Sequence, residues 1–144
     1  MPDDTTPYGV TTDLDRIDLD VVHRWLSTDA YWALGRSRET VETAARNSLN
    51  VGVLDRAGAL CAYARVVTDR ATFGWLCDVY VDPAHRGRGV GGLLVRSALD
   101  ALEPMGLGRV VLSTFDAHGV YAKVGFTPLP EPGRWMIRTP PAAD

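Results

Sequence analysis

Val81-Asp82-Pro83-Ala84-His85-Arg86-Gly87-Arg88-Gly89-Val90-Gly91-Gly92 is the stretch on which the fold turns. An apolar strand runs into a Pro turn, then a basic glycine-rich loop, then an amphipathic helix. Glycines let backbone N–H groups approach an anion without obstruction by side chains. The helix start adds unpaired N–H donors and a partial positive charge. Arg86 and Arg88 add full charges. The pattern describes a phosphate cradle.

Two phosphate loops can be tested against it. Gly87, Gly89 and Gly92 meet the spacing of the dinucleotide fingerprint Gly-x-Gly-x-x-Gly. That fingerprint belongs to the first βα turn of a parallel unit and needs an acidic residue about 20 positions onward. Here the loop lies past mid-chain, after strands that read as antiparallel, and Asp100 and Glu103 come too early. The nucleoside-triphosphate loop requires a Gly-Lys-Ser/Thr ending, which this stretch lacks.

Outward from the loop, periodicity gives the other elements. Residues 9–12 suggest a short strand. Asp18 caps a helix carrying Leu19, Val22 and Leu26 on one face. Residues 27–36 are aromatic without a clean period and read as a loop. Ser37 or Arg38 opens a second helix with Val41, Ala44, Ala45 and Ser48 on its inner stripe. Residues 50–54, 60–68 and 71–81 read as strands joined by short turns, and so as antiparallel neighbours. Residues 89–102 form the clearest helix, with Val90, Leu93, Leu94, Ala98 and Ala101 inward, and Pro104-Met105-Gly106 stops it. Residues 109–114 return as a parallel strand. Asp116 is expected to cap a short helix through Val124, and residues 135–138 to close the sheet as an edge strand. The last residues read as a frayed tail.

At 144 residues the chain is long enough for one domain, 1–144, with its core between 8 and 139. It is 46% apolar and 23% charged with a net charge of −3, an ordinary globular composition. The overall charge gives no footprint for nucleic acid, so none is expected as a partner. No apolar run reaches the length of a membrane span, and the acidic N-terminus lacks a signal-peptide pattern. A cytoplasmic protein with no membrane partner is expected. Cys61 and Cys77 each fall in a strand and read as buried thiols. The cysteines and His23, His85 and His118 show no zinc spacing, so no metal is expected. His85 reads as an exposed turn residue.

The Arg86-Gly87-Arg88-Gly89-Val90-Gly91 run resembles the acetyl-CoA loop of the GNAT-type N-acetyltransferases, whose signature is Arg/Gln-x-x-Gly-x-Gly/Ala. Downstream, Tyr121-Ala122-Lys123-Val124-Gly125-Phe126 is similar to the family's Tyr-x-x-x-Gly-Phe. The likeness covers nearly the whole chain, most clearly residues 50–127. It implies an α/β fold: a mixed, mostly antiparallel sheet with splayed central strands, flanked by helices, and a bulge near Asp78. It implies acetyl-CoA as cosubstrate and transfer of the acetyl group to a primary amine of a small molecule or peptide. The cofactor would meet the backbone of Val79, Tyr80 and Val81. Loop residues Arg86, Gly87, Arg88, Gly89, Val90, Gly91 and Gly92 would take its phosphates. Thr114 (or Ser113) stands where many members carry a cofactor-binding Asn.

Such transfer needs a neutral amine, a polarised carbonyl and a proton or hydrogen bond for the leaving thiolate. The resemblance puts the Tyr121 hydroxyl near the thioester sulfur, whose thiol has a pKa of about 8.5 by analogy with cysteine. The other reading is a tyrosine packed on the sheet. Some members place a Glu base on the central strand; Trp75 occupies that position here and cannot accept a proton. Asp78 remains, either as base, directly or through water, or as structural anchor of the splay. His118 suits proton transfer or a helix surface. The acceptor pocket would fall at Tyr31, Trp32, Arg36 and Trp75, which suits an amine with an apolar body and a carboxylate. Tyr-Trp-x-x-Gly-Arg is similar to a bacterial subgroup of the family with unassigned substrate. A non-catalytic CoA-binding sensor or regulatory module is the competing reading. A homodimer through the segment around Trp135 is a further expectation.

Overall fold

The computed structural model describes residues 7–141. Local side-chain bonds set where elements begin. The Asp18 carboxylate accepts from the N–H groups of Asp20 and Val21 and starts helix α1 (Leu19–Asp29). Ser37 does the same for α2 (Arg38–Arg46) through the Thr40 N–H. Strand β1 (Gly9–Thr11) precedes both helices. Asp55 accepts from Ala57 and Ala59 and turns β2 (Leu49–Leu54) into β3 (Leu60–Thr68). Asp69 accepts from three successive N–H groups, those of Ala71, Thr72 and Phe73, and so leads into β4 (Phe73–Val81). Helix α3 (Val90–Leu102) then returns the chain to β5 (Arg109–Val111), and α4 (His118–Ala122) follows.

The sheet runs in the order β1-β2-β3-β4-β5. Its first four strands are antiparallel, and β5 lies parallel to β4. The expected α/β architecture, mixed and mostly antiparallel, is what the chain adopts. Two apolar layers cover the sheet. On one face, Val90, Leu94, Val95, Ala98 and Leu102 of α3 pack on Val51, Val53, Ala62, Ala64, Val66 and Leu76. On the other, Val22, Trp25 and Leu26 of α1 pack on Leu60, Tyr63 and Tyr80. Asn50 donates to the carbonyls of Ala45 and Ser48 and accepts from the Tyr63 hydroxyl, tying the end of α2 to the sheet.

One irregularity shapes everything near β4. Tyr63 pairs with Tyr80 and Arg65 with Cys77, so one residue of β3 faces two of β4. The extra residue is Asp78, in the left-handed region at φ 52°. The bulge reverses the alternation along β4. Leu76 before it and Val79 and Val81 after it face α3; Tyr80 faces α1. The β4–β5 ladder stops before the bulge, at Trp75 and Val111. Residues 76–81 therefore keep one backbone edge with no strand beside it, and the two strands splay apart.

Several expected boundaries move. The last strand ends at Val111 and not at 114, because β4 bends away at the bulge. Asp116 does not cap the short helix; Thr114 Oγ1 accepts from the Ala117 N–H just before it. Ser48 falls beyond the end of α2. No edge strand forms at 135–138. Glu131 is left-handed and Pro132 lacks an N–H, and β5 offers only three residues to pair with. Met136 and Ile137 are both exposed, which a strand lying on the sheet would not allow for neighbours. Trp135 is held by its ring, 5.8 Å from the Arg109 guanidinium. His85 is half-buried and bonded to the Tyr8 hydroxyl at 2.7 Å.

Leu94 is fully buried at the centre of the α3 layer. Leu94→Ala is expected to lower unfolding free energy by about 2–5 kcal/mol, read by urea denaturation; a loss below about 1 kcal/mol would contradict this packing.

Candidate active site

Where β4 and β5 part, a cleft of about 1050 Å³ opens. One wall is residues 75–81 of β4. The other is Leu112, Ser113 and Thr114 beyond β5, with Asp116, Ala117, Val120 and Tyr121. The glycine loop closes one end, and Tyr31, Trp32, Arg36, Arg65 and Val67 line the rest with the strands.

The loop has the backbone its glycines permit. Gly87 and Gly89 are left-handed at φ 79° and 77°. Gly89 is the N-cap of α3 and supplies no side chain to its first N–H groups, so these donors stay open at the helix start. Asp82 accepts from the Ala84 N–H and shapes the turn into the loop. Arg86 turns back. It donates from Nε to the Val81 carbonyl, lies 5.4 Å above the Tyr80 ring and reaches within 3.7 Å of Asp29. Arg88 is exposed and does not line the cleft, nor does Gly92. Val79, Tyr80, Val81, Gly87, Val90 and Gly91 do. The Tyr80 side chain faces away: its ring stacks on Trp25 and its hydroxyl donates to Asp29. Burial and this bond to Asp29 raise its pKa. What Tyr80 offers the cleft is backbone.

Asp78 is the most constrained group in the cleft. Its Oδ1 accepts from Trp32 Nε1 at 2.9 Å, and its Oδ2 from Arg36 Nη1 at 2.8 Å and Arg65 Nε at 2.9 Å. Burial alone would raise its pKa. The Arg65 guanidinium, with Trp32 and Arg36, more than reverses that and holds the carboxyl below its ordinary value of 3.8. Of the two roles open to Asp78 in the sequence, these bonds support the anchor. Arg65 gave no signal in the sequence; only its position on β3 opposite the bulge brings it in. Arg38, by contrast, leaves the cleft and pairs with Asp20 and Glu42.

Tyr121 lies on the wall supplied by α4. Gly125 is left-handed at φ 98°, which reverses the chain so that the Phe126 N–H returns to the Tyr121 carbonyl. The Phe126 ring then meets the Tyr121 ring edge-on at 5.9 Å. This is why Tyr and Gly-Phe stand at that spacing. Burial, with Tyr31 nearby, raises the Tyr121 pKa above its ordinary value of 10. Trp75 and Trp32 are half-exposed along the cleft. Cys77 also lines it. Its thiol is pushed up to about 11, chiefly by burial, and both cysteines are free. His118 does not line the cleft.

The family model described as the Acetyltransferase (GNAT) family matches residues 19–126. The chain belongs to the GNAT acetyltransferase family. A Gibberella zeae protein named for the acetyltransferases is 30% identical over 135 residues, 81% of this chain and 76% of its own. A GNAT-family protein of Xanthomonas campestris pv. campestris is 41% identical with a TM-score of 0.87, across 93% of this chain and 94% of that one. A Mycobacterium tuberculosis protein crystallised with CoA shares the fold at a TM-score of 0.70 and 23% identity, across 85% and 76% of the two chains. Family membership makes this GNAT chain a transferase by class. Among its described residues, no helix is long and apolar enough to cross a membrane, and no cluster of three or more His, Cys, Asp or Glu could hold a metal ion.

Asp78→Asn keeps a side chain that tolerates the left-handed backbone but leaves Arg36 and Arg65 without their shared counter-charge. It is expected to cost about 3 kcal/mol at neutral pH. The folded pKa of Asp78 lies below the unfolded one, so its contribution is complete above 3.8 and is lost as pH falls through the folded value. Urea denaturation of both proteins from neutral to strongly acid pH should show the gap closing in acid. A gap that stays constant would contradict the ion-pair account.

Proposed function

We propose that this chain transfers the acetyl group of acetyl-CoA to a primary amine by direct attack of the amine on the thioester. The observation that carries the reading is the splay of β4 from β5 beside the glycine loop, with Tyr121 on its wall. An unpaired strand edge at residues 76–81 suits an extended, amide-bearing arm, which can add to it as a strand would. Left-handed Gly87 and Gly89 and the open start of α3 suit a pyrophosphate. Arg88, which makes no ion pair among the described residues, is available to a further phosphate. The CoA found in the Mycobacterium tuberculosis protein of the same fold supports the same cosubstrate here.

In this reading the amine nitrogen forms a bond to the acetyl carbon while the carbon–sulfur bond breaks. The carbonyl oxygen gains charge and takes a hydrogen bond from the free backbone of β4 near Val79. The forming thiolate takes a hydrogen bond from the Tyr121 hydroxyl, which burial keeps from ionising. The ammonium proton of the acceptor passes to water in the open cleft, and the thiolate is protonated from the same solvent. Asp78 serves as the anchor of the bulge. Trp75 lines the acceptor side, where it supplies surface and no base.

Calorimetric titration should show saturable binding of acetyl-CoA and none of NAD. Arg88→Ala should weaken binding about tenfold through loss of a charge-assisted phosphate contact. No binding by the folded protein would overturn the cosubstrate. Tyr121→Phe should lower kcat by about 100-fold with little change in acetyl-CoA affinity. An unchanged kcat would remove Tyr121 from the chemistry. Tight acetyl-CoA binding with no thiol release across a varied amine panel would favour the non-catalytic CoA-binding module instead.

A further inference from the structure

The acceptor end of the cleft carries an excess positive charge that Asp78 does not cancel. Two guanidiniums, Arg36 and Arg65, converge on one carboxylate oxygen. Arg65 is the more deeply held, since Nε goes to Asp78 and Nη1 to Ser48. Arg36 gives only Nη1 to Asp78 among the described residues. No buried side-chain nitrogen or oxygen among those residues lacks a partner, so Nε and Nη2 of Arg36 reach solvent. Arg36 lines the cleft, and its side chain is 22% exposed. It is a fixed fork with donors to spare, pinned at one nitrogen and open at the others. A guanidinium so placed matches a carboxylate.

The surface beside it is apolar. Val67 and Trp75 face each other across β3 and β4, both expose side-chain surface, and both line the cleft. The Tyr31 ring meets the Trp32 ring edge-on. Asp78 has little to offer a cation. It is saturated with donors and only 5% exposed. Of the other cleft carboxylates, Asp29 accepts from Tyr80 and lies near Arg86, and Asp116 stands on the segment before α4.

We propose that Arg36 binds the carboxylate of the acceptor, and that the acceptor is a small amine bearing both a carboxylate and an apolar body, as in an amino acid with an aliphatic or aromatic side chain. This deepens, and rests on, the acetyl-transfer reading. Arg36 acts on substrate directly, with Arg65 and Asp78 positioning it. A polyamine or an aminoglycoside, polycationic and without a carboxylate, meets the wrong charge at this end.

The test uses matched pairs that differ only in the carboxylate. N-acetyl-L-phenylalanine and N-acetylphenethylamine are titrated against the full chain, read by the fluorescence of its tryptophans, without acetyl-CoA. L-phenylalanine and phenethylamine are compared as acceptors in parallel. In the wild-type protein the carboxylated member of each pair is expected to be favoured about tenfold or more. In Arg36→Gln the preference should vanish through a raised Kd and KM, and Arg36→Lys should keep part of it. Circular-dichroism melts show whether each variant folds. If Arg36→Gln does not, discrimination within each pair by the wild-type protein, together with Arg36→Lys, decides the matter. Equal binding of the paired probes, or a preference that survives Arg36→Gln, overturns the proposal. Acetyl-CoA titration of the same preparation reads the parent reaction separately, so failure of one is not mistaken for failure of the other.

Discussion

One buried carboxylate, Asp78, holds three separate parts of the chain in register. It fastens the loop after α1 through Trp32 and Arg36, and β3 through Arg65, to the bulged residue of β4. A non-glycine residue in left-handed backbone costs about 1–3 kcal/mol and persists only where its surroundings over-determine it. Three donors on two oxygens supply that determination. The bulge in turn reverses the side-chain alternation of β4 and ends its pairing with β5. The cleft is thus a consequence of a polar clamp: remove the clamp and the strand has reason to relax toward regular pairing.

Much of this was legible in the chain because the signals are local. Asp18 and Ser37 start helices where capping chemistry says they should, and the Asp55 and Asp69 turns fix both ends of β3. The continuous apolar run of residues 60–64 answers to a strand buried on both faces, and the helical period of 89–102 to one buried stripe. What stayed out of reach depends on residues far apart in sequence. Arg65 is an arginine in a strand like any other until the bulge lies opposite it. Asp29 matters because α1 ends beside Tyr80. The segment around Trp135 has strand-like composition, but a strand needs a neighbour, and three-residue β5 does not extend far enough to be one. Asp116 reads as a cap by type, yet Thr114 reaches the free N–H first.

The cleft also divides its work between backbone and side chain. Along β4 and the glycine loop, the groups turned toward it are mainly N–H and C=O, while Tyr80 and Val90 send their side chains into the layers behind. At the other end, Trp32, Arg36, Arg65 and Trp75 present side chains. A wall of backbone depends little on side-chain identity, and a wall of side chains can change from one protein to the next without disturbing it. The charge balance follows the same split. Arg86 is committed to Asp29 and Tyr80 at the loop, whereas Arg36 keeps donors free where an acceptor would differ.

The margins of the sheet carry a consequence of their own. Its outer strands, β1 and β5, are three residues each, against nine for β3 and β4 inside. A short outer strand gives a passing chain few free N–H and C=O groups to dock on, and so little template for stacking sheet against sheet. The longest unpartnered run among the described residues, 76–81, is recessed in the cleft and kinked by the bulge, out of line for a flat neighbour. The feature that opens the molecule to a small ligand thereby offers a passing strand no flat edge.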